Sequence, residues 1–292
     1  MKKQLIIFSD YGLDDACALA YLLEHADRFD GIDVVCIAGN APAACSLSNA
    51  QKLVNSGQWT VDGGQLRGQG SEARGQGSRA RCPHRAAVRL VSTNDFPQNY
   101  ARLPSIHGED GMGDLFPKPE TIDAVPYAEW AKSLPESVII LSLGPCTVSL
   151  DVVKRLKNLK ASEHIVMGGM VKAVPNHLGM EFNQALDPGS FNAQVKFPHV
   201  IATLDTCRAP QFNLAVWRGK SDSLLHRLVN RANELAEARH PDNSYIYDLI
   251  TALYLIEPQI FEARAVTDPW GNRLRELRLA DKGFMLGEYL VL

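Results

Sequence analysis

The sequence predicts an α/β fold, a single domain over residues 1–292 with a mostly parallel central sheet flanked by helices. Three observations predict it. Short, continuous apolar runs such as Leu5 to Phe8 and Val138 to Leu141 read as strands buried on both faces. Between them lie segments with apolar residues at helical spacing, of which Ala18, Leu19, Leu22, Leu23 and Ala26 form the first. The strand-like runs close on Asp, Asn, Gly or Pro, residues that end regular structure.

In chain order, the first strand stops at Ser9-Asp10 and passes directly into that first helix. A second strand, Ile32 to Ala38, closes with Gly39-Asn40 and leads to a helix around Ser46 to Asn55. Val138 to Leu141 ends in Ser142-Leu143-Gly144-Pro145, and the pattern Val148, Leu150, Val152, Val153, Leu156 gives a helix after it. A short strand from His164 to Met167 ends in Gly168-Gly169, and another, Val200 to Leu204, ends at Asp205. Helices are expected from about Ser223 to Ala238 and from about Tyr245 to Ile256. This alternation describes an open sheet of the Rossmann type, in which ligands bind beyond the carboxyl ends of the strands.

One segment departs from the pattern. At about 62–100 the chain is of atypical, low-complexity character, and it holds RGQGSEA from Arg67 followed by RGQGSRA from Arg74. No apolar periodicity survives in this repeat, so the repeat is expected to bury no core face, as a surface insertion or a sequence irregularity.

Composition narrows the function classes. Hydrophobic residues make up 46% and charged residues 22%, as in ordinary globular chains. A net charge of -3 gives no basic field for nucleic acid or an anionic membrane, so neither is expected as a partner. The six cysteines lack CxxC pairs or zinc spacing and read as reduced thiols. The apolar run after Met1-Lys2-Lys3 ends within four residues, too short for a signal core or a membrane span. A cytoplasmic protein is expected.

The stretch Asp10-Tyr11-Gly12-Leu13-Asp14-Asp15-Ala16 carries the most chemistry. Three carboxylates at one strand-to-helix junction repel one another, which calls for a compensating cation, and carboxylate oxygen suits calcium or magnesium. A plain helix N-terminus accounts for Asp14 or Asp15 as capping acids, but not for Asp10 on the strand side.

Further segments follow in order: Gly39-Asn40; His107-Gly108-Glu109-Asp110-Gly111; Leu143-Gly144-Pro145-Cys146-Thr147; Val166-Met167-Gly168-Gly169; Glu181-Phe182-Asn183 with Asp187-Pro188; and Tyr247-Asp248 leading a helix that ends Leu255-Ile256-Glu257-Pro258. On these segments the chain resembles the inosine-uridine-type nucleoside hydrolase family, whose signature is an Asp-rich loop of the DxDxGxDDAxA kind. The likeness runs from residue 4 to about 262, with a gap across roughly 58–104.

The resemblance implies calcium-dependent hydrolysis of the N-glycosidic bond of ribonucleosides, giving ribose and free base. It implies Ca2+ held by Asp10, Asp15, the backbone carbonyl of Thr147 and Asp248, with Asp10 also the general base. Asp14, Glu181 and Asn183 would hold the ribose hydroxyls, and Asn40 would add a polar contact. A homo-oligomer, dimer or tetramer, is implied as well.

Several positions depart from the family. Tyr247 stands where members often carry the His that assists the leaving group, so Tyr247, His107, Tyr245 and His240 become the candidates for that role. Asn176 lies one residue from the spacing of a ribose-contacting Asn, a place that Pro175 fills. Val148 replaces a common Asn and Leu249 a common Pro. The metal and ribose half thus matches and the nucleobase half is altered, leaving base preference open.

Taken singly, each residue also has a plainer reading: Glu181 and Asn183 as turn residues, Thr147 as an N-cap, Asp248 as a solvated first-turn acid, His107 as a loop histidine. Two other functions stand beside the hydrolase. A haloacid-dehalogenase-like phosphatase would need a second Asp where Gly12 stands. A catalytically impaired nucleoside- or ribose-binding homologue is consistent with Tyr247.

Overall fold

The computed structural model describes residues 2–56, 59–62, 65–68, 87–93, 100–118, 121–156, 162–213, 223–238 and 245–280. The strands are β1 Gln4–Ser9, β2 Gly31–Cys36, β3 Trp59–Asp62, β4 Gln65–Gly68, β5 Ala87–Ser92, β6 Val125–Pro126, β7 Val138–Ser142, β8 Glu163–Met167, β9 Val200–Ala202, β10 Phe261–Thr267 and β11 Arg273–Leu279. The helices are α1 Leu13–Glu24, α2 Ala43–Ser56, α3 Pro104–His107, α4 Tyr127–Trp130, α5 Thr147–Arg155, α6 Phe182–Leu186, α7 Pro188–Gln194, α8 Leu204–Cys207, α9 Leu224–Glu237 and α10 Tyr247–Ile256.

Among the described residues, eleven strands form one sheet in the order β10-β11-β9-β8-β7-β1-β2-β5-β4-β3, with β6 beside β5. From β9 to β5 every neighbouring pair is parallel, and antiparallel pairs lie toward the two edges. The expected mostly parallel sheet is therefore what forms.

Alternation along β1 explains its central place. Leu5 and Ile7 join a core cluster with Leu19, Leu22, Leu249 and Leu253, so α1 and α10 cover that face. Ile6 and Phe8 join a second cluster with Val35, Ile140, Trp130 and Val152, so α4 and α5 cover the other. All four β1 side chains are 0% exposed, and each such burial is worth about 1.5–3 kcal/mol.

The chain crosses β1 in both directions, with β2 on one side and β7 on the other. That reversal of strand order is where open α/β sheets leave a crevice. Register aligns the carboxyl ends: Ser9 faces Cys36, and Phe8 faces Ser142. The loops after β1, β2 and β7 consequently leave the sheet at one rim.

One expectation is corrected. The strand expected over Val200 to Leu204 stops at Ala202, because Thr203 caps α8 by accepting from the Thr206 N–H and drawing the chain into a turn. The segment at about 62–100 also holds, outside the repeat, a strand that the sequence pattern does not announce. This strand, β5, pairs in parallel with β2, and Val88 and Leu90 are 1% and 2% exposed. Arg89 disguises this strand, but it lies opposite Asp33 and donates to both its carboxylate oxygens, at 2.9 and 2.7 Å. Of the tandem repeat, Arg67 and Gly68 belong to β4, and residues 69–86 lie outside those described.

Candidate active site and metal centre

The site is built at the turn between β1 and α1. Tyr11 takes the left-handed conformation with φ of 52°, which swings the chain from strand to helix within two residues. Asp15, third in α1, reaches back: its Oδ2 accepts from the Gly12 N–H at 2.9 Å and its Oδ1 from the Ser9 hydroxyl at 2.7 Å. Asp15 thus satisfies the N–H of Gly12, the cap residue of α1, while itself buried. Asp14 is left to face the cleft, and its Oδ1 has no hydrogen-bond partner.

Asp10, 1% exposed, is held by the next loop. Its Oδ2 accepts from the Asn40 N–H at 2.8 Å and its Oδ1 from Asn40 Nδ2 at 3.0 Å. This grip requires Gly39, where an added Cβ would fall 1.8 Å from Asp10 Oδ2. Gly39→Ala is accordingly expected to lower turnover at least ~100-fold, since displacement of about 1 Å at a reacting group has that effect. Steady-state kinetics beside a thermal melt would separate this from unfolding.

Asp248 arrives from the far end of the chain as the second residue of α10, because α10 packs against α1. It is 3% exposed, and its Oδ1 is buried without a partner. Carboxylate oxygens of Asp14, Asp15 and Asp248 lie within 4.8 Å of one another. Asp10 borders the same group, close enough to Asp15 for the two carboxyls to share a proton.

This crowding perturbs every buried member. Burial first, then the charges of Asp15 and Asp14, raise Asp10 well above the carboxylate range. Asp248 is raised likewise, by burial and then by Asp14, Asp15 and Asp10. Burial and the Asp14 charge push Asp15 up to about 6. These groups cannot all ionise without a cation, and a set of hard oxygen donors with two orphaned oxygens fits a divalent ion of the calcium or magnesium type.

Other expected residues take definite places. Glu181 caps α6, accepting from the N–H groups of Asn183, Gln184 and Gly169 at 2.9, 2.9 and 3.0 Å. It is more than a turn residue: burial pushes it up to about 7, against those hydrogen bonds and with the Asp14 charge adding to the rise. Asn183 Nδ2 donates to the Leu143 carbonyl at 2.6 Å, tying α6 to the loop after β7. That loop lies beside β1, since the Leu143 N–H donates to Phe8 O at 2.9 Å. Thr147 is the first residue of α5 and Cys146 holds the cap position; the Thr147 hydroxyl donates to Asp187 Oδ2 at 2.7 Å.

His107 closes the side of the cleft over α1. Its Nδ1 accepts from the Leu13 N–H at 3.0 Å and lies 3.7 Å from Asp14 Oδ1, so the ring hydrogen belongs on Nε2. Gly12 leaves room for this convergence: a Cβ there would meet Asn40 Nδ2, Asp14 Oδ1 and His107 Cε1 at 2.5, 2.8 and 2.8 Å. Beside Asn40 and His107 opens a cavity of about 290 Å³, lined also by Lys52, Arg102 and Asp110 and by none of the four carboxylates.

Tyr247 precedes Asp248, and its hydroxyl accepts from Arg208 Nε at 3.3 Å. Burial raises its phenol, with Arg208 opposing and the Asp14 charge adding to the rise. Tyr245 lies next to it, ring centroids 6.5 Å apart, whereas His240 falls outside the described residues. Asn176 stands apart from the buried carboxylates. Its side chain is exposed on the loop 171–180, where its N–H bonds to Met180 O. Sequence patterns give no signal for Gly39's contact with Asp10 or for Arg208. Ser9, directly before the acidic loop, is legible only once Asp15 is known to fold back.

The sequence profile of the family described as "Inosine-uridine preferring nucleoside hydrolase" matches residues 5–275. Among solved structures, a plant nucleoside hydrolase is similar at 16% identity and a TM-score of 0.65, over 97% of this chain and 88% of that one. A purine-preferring ribonucleoside hydrolase from Gardnerella vaginalis is similar at 17% identity and 0.64, over 96% and 93%. An inosine-uridine preferring nucleoside hydrolase from Bacillus anthracis is similar at 14% identity and 0.58, over 97% and 91%. Likeness at such identities shows the shared fold. No curated protein matches the chain by sequence.

Proposed function

Because this chain belongs to the inosine-uridine preferring nucleoside hydrolase family, we propose that it hydrolyses ribonucleosides to ribose and free base with calcium as its ion. Membership makes it an N-glycosyl hydrolase of nucleosides; the ion, the sugar and the residue roles are the proposal. One observation supports it above the others: buried carboxylates from α1 and α10, near opposite ends of the chain, meet within 4.8 Å.

Asp10, Asp15, Asp248 and the Thr147 carbonyl would hold the ion, with Asp14 at its edge. When bound, calcium would balance these charges and make a nearby water easier to deprotonate. Asp10 takes the proton from that water as its oxygen bonds to C1′ of the sugar, and the C1′–N bond breaks with its electron pair passing to the base. Asp14, Glu181, Asn183 and Asn40 hold the ribose hydroxyls, which fixes the ring and favours the positive charge that develops on it. Tyr247 and the Nε2–H of His107 serve the departing base. No helix among the described residues is long and apolar enough to cross a membrane; cytoplasmic location and a homo-oligomer complete the proposal.

The test is free-ribose release from inosine, uridine and a nitrophenyl riboside, each with calcium and after chelation. Release that stops on chelation and returns with calcium supports the reading. Calorimetric binding of inosine without release would favour an impaired, ligand-binding homologue.

A further inference from the structure

Arg208 follows α8 and joins three separate parts of the chain. Its Nε donates to the Tyr247 hydroxyl at 3.3 Å, its Nη1 donates to the Val174 carbonyl at 2.6 Å, and its Cζ lies 5.9 Å from the Tyr247 ring centroid. Asp205, on α8 itself, clamps the same loop nearer its start, accepting from the Val171 and Lys172 N–H groups at 2.7 and 2.9 Å. Asp205 on α8 and Arg208 just after it therefore fasten the loop 171–180 at two points, and Arg208 passes that constraint to Tyr247, whose neighbour is Asp248.

An arginine N–H donated into a phenol oxygen occupies a lone pair and leaves the hydroxyl its own hydrogen to give elsewhere. The guanidinium charge also strengthens that hydroxyl as a donor. Resting on the hydrolase reading above, we propose that Arg208 is a positioning residue for the leaving-group half of the site. It fixes the Tyr247 hydroxyl and the Val174 loop so that the hydroxyl donates its hydrogen bond to the departing nucleobase. As the C1′–N bond breaks, the electron pair goes to the base nitrogen, where this donor meets the growing negative charge. The attacking water gives its proton to Asp10, Tyr247 keeps its own, and the base is reprotonated from solvent.

The test compares inosine with 4-nitrophenyl riboside, whose nitrophenolate is a stable anion that needs no donor, in the calcium-supplied full chain. In Arg208→Met, the ratio of kcat for inosine to kcat for the nitrophenyl riboside is expected to fall about 10- to 100-fold, the range for a charge-assisted hydrogen bond. KM for inosine should change less than kcat. In a Tyr247→Phe background, the same substitution should alter kcat for inosine by less than about 3-fold, because coupled residues are non-additive. Arg208→Lys is expected to restore part of the ratio, since an ammonium keeps the charge but lacks the fork that reaches both acceptors from separate nitrogens, and it carries the same cycle if the methionine variant melts early. Equal losses on both substrates, or full additivity with Tyr247→Phe, would overturn the role of Arg208 alone. A wild-type chain that releases ribose from neither substrate would overturn the hydrolase reading and this proposal together.

Discussion

Asp10→Ala is expected to lower ribose release by about 1,000- to 10,000-fold, because it removes both the proton acceptor and one ligand of the ion. The loss should lie in kcat, and it should not come from unfolding. Asp10 is buried against Asp15 and raised well above its usual range, so in the metal-free chain this carboxyl is under repulsion that the substitution relieves. The variant should therefore melt, without calcium, at or above the wild-type temperature. Near-normal hydrolysis by Asp10→Ala would remove it as the base.

Calcium should stabilise the chain far more at pH 8 than at pH 5. The sign follows from the shifts. Asp15 at about 6, Glu181 at about 7, and Asp10 and Asp248 well above the carboxylate range all bind protons more tightly when folded. A raised acid contributes stability that is present below its unfolded value and is lost as pH rises through the folded one. The metal-free cluster should thus lose stability from about pH 4 upward, through pH 6 to 7 and beyond. His164, buried and lowered to about 3, acts in the opposite sense between about 3 and 6.5. It belongs to a network with Gln194 and Ser142, so its contribution cancels when calcium-loaded and metal-free melts are compared at each pH.

Protons compete with the ion, so affinity should rise about tenfold per pH unit for each proton displaced. At calcium about 100-fold over its Kd, stabilisation is about 2.7 kcal/mol, or roughly 5–10 °C in Tm for a chain of this size. A calcium shift that stays constant from pH 5 to pH 8 would contradict a site made of these carboxylates.

Much of this site is legible in the sequence because its residues sit where two periodicities meet. Leu5 to Phe8 reads as a two-faced buried strand, which puts the acids that follow it at the strand's carboxyl end. Asp248 is legible only through the family likeness, since an acid in a helix's first turn is ordinary and its burial depends on α10 packing against α1. The capping work of Asp15 depends on Ser9 and on the left-handed turn at Tyr11, which local propensity does not encode. The strand β5 is hidden because Arg89 interrupts its apolar run beside a repetitive segment. Its partner Asp33, 2% exposed and also bonded by Trp130 Nε1 at 2.8 Å, is distant in sequence. Arg208 is hidden for a related reason: a lone arginine has no pattern, and its meaning comes from Tyr247 and Val174 arriving beside it.

Diffraction from crystals grown with calcium tests the central claim most directly. One ion is expected between Asp10, Asp15 and Asp248, with oxygen ligands at about 2.3–2.6 Å. Crystals that stay free of an ion there at saturating calcium, or an ion bound only elsewhere on the chain, would contradict it.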